Sequence, residues 1–285
     1  MEKDQLIEEY YKMIEDEDNN ENKVQEFLEN HTAFIPMEFL LNHQLHMNCV
    51  ISKFKLGNEL VTDFAYLTKC SDYWNLVLVE LETPKKKIFT NNKNNVYFSS
   101  EFNHAYDQIT SWKSYIEKNK ESVLYKIDKL KQPLNDNHVR FKYILVIGRN
   151  KEKENSEKRR AMFAEKSRED FRVMTYDSLA SQYKCSHHSN DKIIVLSSWE
   201  DQGFIIKKMS NKEIDTSLFA YLKPDFLQVS KEYLDILKKD DYQMDIWEDE
   251  KLLTHNNKYD AATLAKKSRN PFVRKLLQAE LKNNK

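Results

Sequence analysis

YWNLVLVELETPKKKIF, residues 73–89, passes from an apolar β-like run into two glutamates one position apart, then a proline and three lysines. Side chains alternate across a strand, so Leu76, Leu78, Glu80 and Glu82 share one face, apolar where it begins and acidic where it ends. A carboxylate is costly to bury unless a cation, a hydrogen-bond network or a metal compensates its charge. Two readings follow. Either the strand surfaces at a sheet edge and its glutamates pair with Lys85–Lys87, or the acidic end builds a site. These residues alone leave both open.

Upstream lie two β-rich segments, QLHMNCVISKFKL and ELVTDFAYL, joined by the turn-like LGNE. With the strand at 75–82 they make an antiparallel meander. Asp63 interrupts the apolar run of Leu60, Val61, Phe64 and Tyr66, and hairpin pairing sets it beside Glu80. Carboxylates converging at a sheet end repel one another unless a divalent cation joins them, and an all-oxygen ligand set suits Mg²⁺ or Mn²⁺. Such an ion binds phosphate oxygens and lowers the pKa of an attacking water.

Downstream, SSEFNHAYDQITSWKSYIEKNKESVLYKI reads as a long helix capped by Ser99 or Ser100, with Phe102, Ala105, Ile109, Trp112 and Ile116 at helical spacing. Gln108 lies close to a stripe with Glu101, His104, Trp112 and Tyr115. FKYILVIG (141–148) is an uninterrupted apolar strand of the kind buried on both faces. Gly148 lets the chain turn, and Arg149 serves a structural contact or a phosphate. A charged helix over 154–167, a strand FRVMTY and a helix DSLASQY with Asp177 as N-cap complete a parallel βαβ unit. The expected architecture is α/β (α+β), a mixed sheet flanked by helices.

Two helices precede the meander: an acidic one over 3–18, and NKVQEFLENH. Beyond Cys185 a short hairpin, KIIVLSSW with GFIIKKM, leads into a polar, helix-rich end. This divides the chain into an N-terminal acidic helix (1–20), a main domain (21–188) and a C-terminal extension (189–285) suited to regulation or assembly.

The 285 residues suffice for a large core, and their 32% charged content gives a polar surface. No run approaches the roughly 18 apolar residues of a membrane span, and the acidic start has no signal-peptide core. Three widely spaced cysteines form no disulfide framework. The cytosol is the expected compartment, without membrane contact. Net charge is −1, but the start is acidic and the end, AKKSRNPFVRKLLQAELKNNK, is basic. Three glycines in the whole chain exclude Gly-rich nucleotide-binding loops. His43-x-x-His46 and Cys185-x-His187-His188 are fragments of transition-metal motifs with too few ligands. Trp199, Phe204 and Trp247 are candidates for base stacking, though nothing in their spacing requires it.

Asp63, the strand into Glu80-Leu81-Glu82, the helix carrying AYDQITSW, then ILVIGR and VMTYDSL resemble, in this order, the Shedu family of prokaryotic anti-phage defence proteins, which is built on the PD-(D/E)xK nuclease core. The resemblance covers roughly residues 21–184. It implies an endonuclease cleaving phage DNA with Mg²⁺ or Mn²⁺, assembled as a homo-oligomer, often a tetramer. Asp63 and Glu80 are then metal ligands, Glu21 is a further acid near the metal, and Gln108 supports the site. Glu82 stands where most such nucleases have lysine, and is then a general base or a further metal contact. Lys85 or Lys86 is the candidate to replace the lost charge. The same departure leaves open a catalytically weak or inactive nuclease-fold protein that binds DNA or serves assembly.

Overall fold

The computed structural model describes residues 3–92, 95–154, 156–185, 191–197, 203–209 and 217–253, with Pro271 and Lys275. His187, His188, Trp199 and the basic end from residue 265, apart from those two residues, lie outside the described residues, as does the expected boundary at 188 itself.

Two helices, α1 (Lys3–Glu15) and α2 (Glu21–Asn30), lead into three strands: β1 (Cys49–Lys55), β2 (Val61–Lys69) and β3 (Tyr73–Leu81). These form the expected antiparallel meander, with Val50 opposite Tyr66 and Phe64 opposite Val79. Helix α3 (Ser100–Tyr125) crosses over to β4 (His138–Val146), which runs parallel to β3. Helix α4 (Glu157–Lys166) crosses to β5 (Phe171–Met174), parallel to β4, and α5 (Tyr176–Cys185) follows. β4 begins three residues before the expected run because its first positions alternate exposed and buried. The apolar signal starts only where the sheet is covered on both faces.

The sheet continues past residue 188. β6 (Ile193–Ser197) lies parallel to β1, β7 (Phe204–Lys208) pairs antiparallel with β6, and the short β8 (Leu227–Gln228) closes the edge. One mixed sheet of eight strands results, in the order β5-β4-β3-β2-β1-β6-β7-β8. The expected hairpin is therefore present, but it extends the same sheet. Helices α6 (Ser217–Tyr221), α7 (Lys231–Lys239) and α8 (Met244–Glu248) complete the described elements.

Helices cover both faces. On one, Phe102, Ala105, Ile109, Trp112 and Ile116 of α3 bury the stripe read from the sequence, and the C-terminal helices add Phe219, Leu237 and Trp247. Ser99 caps α3, accepting a hydrogen bond from the Phe102 amide at 3.0 Å. On the other face lie α1, α2 and α5. The acidic helix α1 buries Ile7, Tyr10 and Ile14, and the Tyr10 hydroxyl donates to the Tyr176 carbonyl at 2.8 Å.

Asp177 is not the N-cap of α5. It lies within the first turn, and its carboxylate accepts from the Arg149 guanidinium and, at 2.7 Å, from the Asn150 amide. Burial raises the Asp177 pKa, but these contacts outweigh it and the net shift is downward. Arg149 thus has a structural contact. The base-stacking candidates Phe204 and Trp247 are core residues, the latter donating its indole N–H to Leu222 O. His43 is exposed while His46 is buried against Trp74, so the two do not form a pair. Among the described residues, no helix is long and apolar enough to cross a membrane.

Candidate functional site

The paired ends of β2 and β3 carry the acids. The β2–β3 ladder ends at Phe64 opposite Val79, and Asp63 and Glu80 are the next residues of the two strands. There the Asp63 side chain enters the backbone pattern, its Oδ2 accepting from the Leu81 amide at 2.7 Å. Glu82 lies just past β3 and keeps its amide in the sheet, donating to Val146 O at 2.8 Å. Glu21 opens α2 on the helical layer, and its charge acts on Asp63, Glu80 and Glu82 alike. The structure therefore brings four acids from three elements to one place.

Each acid has a side-chain partner, and Glu82 and Glu21 share theirs. Gln108, projecting from α3, donates Nε2 to Glu80 Oε1 at 2.5 Å. Glu80 Oε2 is buried and has no hydrogen-bond partner among the described residues. Burial first, then the charges of Asp63, Glu82 and Glu21, push the Glu80 pKa up to about 10. This carboxyl keeps a proton at neutral pH unless a cation takes the proton's place. Burial also raises Asp63 and Glu82 despite a lysine beside each.

Those lysines are Lys53 and Lys86. Lys53 Nζ sits 2.7 Å from Asp63 Oδ1. Lys86 bridges Glu82 and Glu21; burial works against its charge, but the Glu82 carboxylate more than restores it. Lys85, the other candidate, turns away and donates to the carbonyl of Glu17. The reason is local: Pro84 ends the strand and a Thr83–Lys86 turn closes with Lys86 N to Thr83 O at 3.2 Å, so successive side chains diverge. Glu101 holds this loop from α3 by accepting from the Lys87 amide, and His104 is exposed.

Lys53 escapes a reading based on strand alternation. It has φ +50°, a left-handed conformation uncommon for a lysine. The signal was nonetheless present: Ile51 and Phe54 are three apart, yet both enter the same core cluster. A strict period of two cannot do that, so the facing of the side chains flips at Lys53, while β1 keeps one register with β2 on either side of it.

The donors are all oxygens, the set a hard divalent cation prefers. The orphaned Glu80 oxygen beside Asp63 fits such an ion. In the present conformation, no three histidine, cysteine, aspartate or glutamate side chains among the described residues form a ready metal cage. The lysines and Gln108 hold the carboxylates individually instead.

Residues 18–180 match the family model described as Shedu protein SduA, C-terminal. That span contains all four acids, Gln108, Lys53 and Lys86, whereas α1 and β6–β8 fall outside it. No curated protein gives a significant match.

Proposed function

The chain belongs to the Shedu family, and from that premise we propose that it is a metal-dependent endonuclease cutting DNA in prokaryotic anti-phage defence. The observation that carries this reading is the buried, unpartnered Glu80 oxygen set near Asp63 at a strand end. On this reading the sheet is a PD-(D/E)xK core. Asp63 and Glu80 hold Mg²⁺ or Mn²⁺, with Glu21 as the third acid within reach. When bound, the ion supplies Lewis acidity to the phosphate and lowers the pKa of the attacking water.

The chain's own groups do the rest. Gln108 fixes the rotamer of Glu80 through its amide. Glu82, whose burial makes it more basic than an ordinary carboxylate, accepts the proton from water as oxygen attacks phosphorus and the opposite P–O bond breaks, the departing oxygen keeping the bond's electron pair and taking a proton from solvent. Lys86 keeps Glu82 in place, and Lys53 offers positive charge to the phosphate. Homo-oligomeric assembly, as a tetramer, and a cytoplasmic setting belong to the same proposal.

Incubating the full chain with supercoiled and linear DNA in Mg²⁺ or Mn²⁺ tests the reading. Cleavage is expected, abolished by chelation and reduced at least about 10²-fold by Glu80→Gln. Cleavage that survives this substitution would mean the site is elsewhere. The lysine-clamped carboxylates favour a second reading, a DNA-binding or assembly protein without chemistry. It predicts DNA binding with no cutting in either metal.

A further inference from the structure

We infer that a groove along α2, running from the acids to the β6–β7 hairpin, binds the phosphodiester backbone of the nucleic acid, so that Lys207 and Lys208 extend the site beyond the family-matched part of the chain. The inference rests on the nuclease reading for its substrate class, but on separate residues.

The groove is a cavity of about 470 Å³ with two walls. One is the stripe Asn22, Gln25, Glu26, Glu29 and Asn30, which recurs at helical spacing along α2. The other is three lysines: Lys53 from β1, and Lys207 and Lys208 from β7. Lys53 belongs to both places, because the same ammonium that lines the groove contacts Asp63. At the other end of the stripe, Glu21 immediately precedes Asn22 and faces the acids. Groove and site are therefore continuous.

Chemistry and dimensions suit a polyanion. From position 22 to 30 the helix rises about 12 Å, which along a duplex axis covers roughly three to four phosphate spacings of one strand at about 3.4 Å each. Lys207 and Lys208 stand at the far end of that length, on Glu29 and Asn30, and Lys53 on the side of the acids, on Asp63. Each carries three N–H donors, while a single acceptor holds it among the described residues: Asp63 for Lys53, Glu29 for Lys207 at 2.6 Å, and the Asn30 amide oxygen for Lys208. The side chains of Lys53 and Lys207 are 46% and 42% exposed, so donors remain accessible from the groove. The two acids on the helical wall do not cancel this. Glu29 is turned inward, with the Ser52 hydroxyl and Gln25 amide on its Oε1 and Lys207 on its Oε2. Glu26 and Glu29 thus face three lysines in the lining, which leaves one positive charge in excess along the groove.

The test measures binding of a fluorescein-labelled 20-base-pair DNA duplex to the full chain across a salt series, in Ca²⁺. The native chain, Lys208→Ala and Lys207→Ala/Lys208→Ala are compared, and each is assayed for Mg²⁺-dependent cleavage. Lys208→Ala leaves the buried Glu29 network intact, so it reports even if the double variant folds poorly. The slope of log K against log salt is expected to fall by about one for the single variant and about two for the double. Affinity near 100 mM salt should drop several-fold and tenfold or more, respectively. Unchanged slopes and affinities alongside normal cleavage would overturn the groove and leave the nuclease reading standing. Lysine-dependent binding without any cleavage would uphold the groove and overturn the nuclease reading. No binding by the native chain would overturn both.

Discussion

Lys192 shows what a single buried charge does to this molecule. It is 4% exposed, its Nζ donates to the Thr32 carbonyl at 2.7 Å, and burial lowers its pKa to about 7 against an opposing effect of Asp191. Below pH 7 folded and unfolded chains both hold the proton, and the cost of burying the charge is fully present. Between about 7 and 10.4 only the unfolded chain holds it, so stability from this residue rises with pH across that window. Lys192→Met is therefore expected to stabilise the fold by on the order of a few kcal/mol at pH 6, read as a higher melting temperature, and the gain should shrink toward pH 10. A variant less stable than the native chain at pH 6 would show that Thr32 and Asp191 compensate the charge.

The same scale shows how much the sequence discloses. Alternation along two strands sufficed to bring Asp63 near Glu80, whereas helical spacing placed Gln108 only near a stripe of α3 and the family resemblance supplied its role. Lys53 was hidden because a left-handed residue shifts the alternation by one. Lys85 and Lys86 were indistinguishable because a turn, unlike a strand, gives no rule for side-chain direction.

At the scale of elements, the loop after β3 governs which lysine meets the acids, and β4 helps hold that loop. Gly148 ends β4's apolar run at φ +63°, its amide donating to Thr83 O. A Cβ there would stand 2.7 Å from the Lys86 carbonyl oxygen and 3.0 Å from Ile88 Cγ1. Gly148→Ala thus meets backbone, with no flexible side chain to yield, and adds left-handed strain. It should cost about 1–3 kcal/mol and, by displacing Lys86 from Glu82, slow any cleavage by more than the loss of folded protein explains. Thermal unfolding and specific activity measured on the same sample check both. An unchanged melting temperature would show that the loop moves freely.

The periodic elements were the legible ones. The meander, α3 with its Ser99 cap and the two apolar central strands follow from alternation, helical spacing and burial. Asp177 was misread because an aspartate before a helix is usually a cap. Here the helix starts one residue earlier, with Tyr176, and the side chain answers Arg149 instead.

Across the whole molecule, the expected boundary near 188 meets a continuous sheet. β6 pairs with β1 through Cys49–Ile193, Val50–Ile194 and Ile51–Val195, and buries Ile193, Ile194 and Val195. Composition does change there, but a polar stretch of sequence ahead of a strand looks the same whether that strand joins the old sheet or starts a new one. Only the pairing partner distinguishes them, and parallel pairing with β1 joins strands about 140 residues apart. A chain ending at residue 188 would expose the β1 edge and the apolar faces that β6 and the C-terminal helices cover. It is expected to aggregate or lose cooperative unfolding. A soluble fragment melting within a few degrees of the full chain would support the division into separate parts.

The divalent ion at the junction of β2 and β3 is most directly tested by an anomalous difference map from crystals of the full chain soaked in Mn²⁺. A peak should lie between the carboxylates of Asp63 and Glu80, and should vanish in Glu80→Gln crystals. A map with no peak there, or with manganese bound only elsewhere, would contradict the metal site and the chemistry assigned to it.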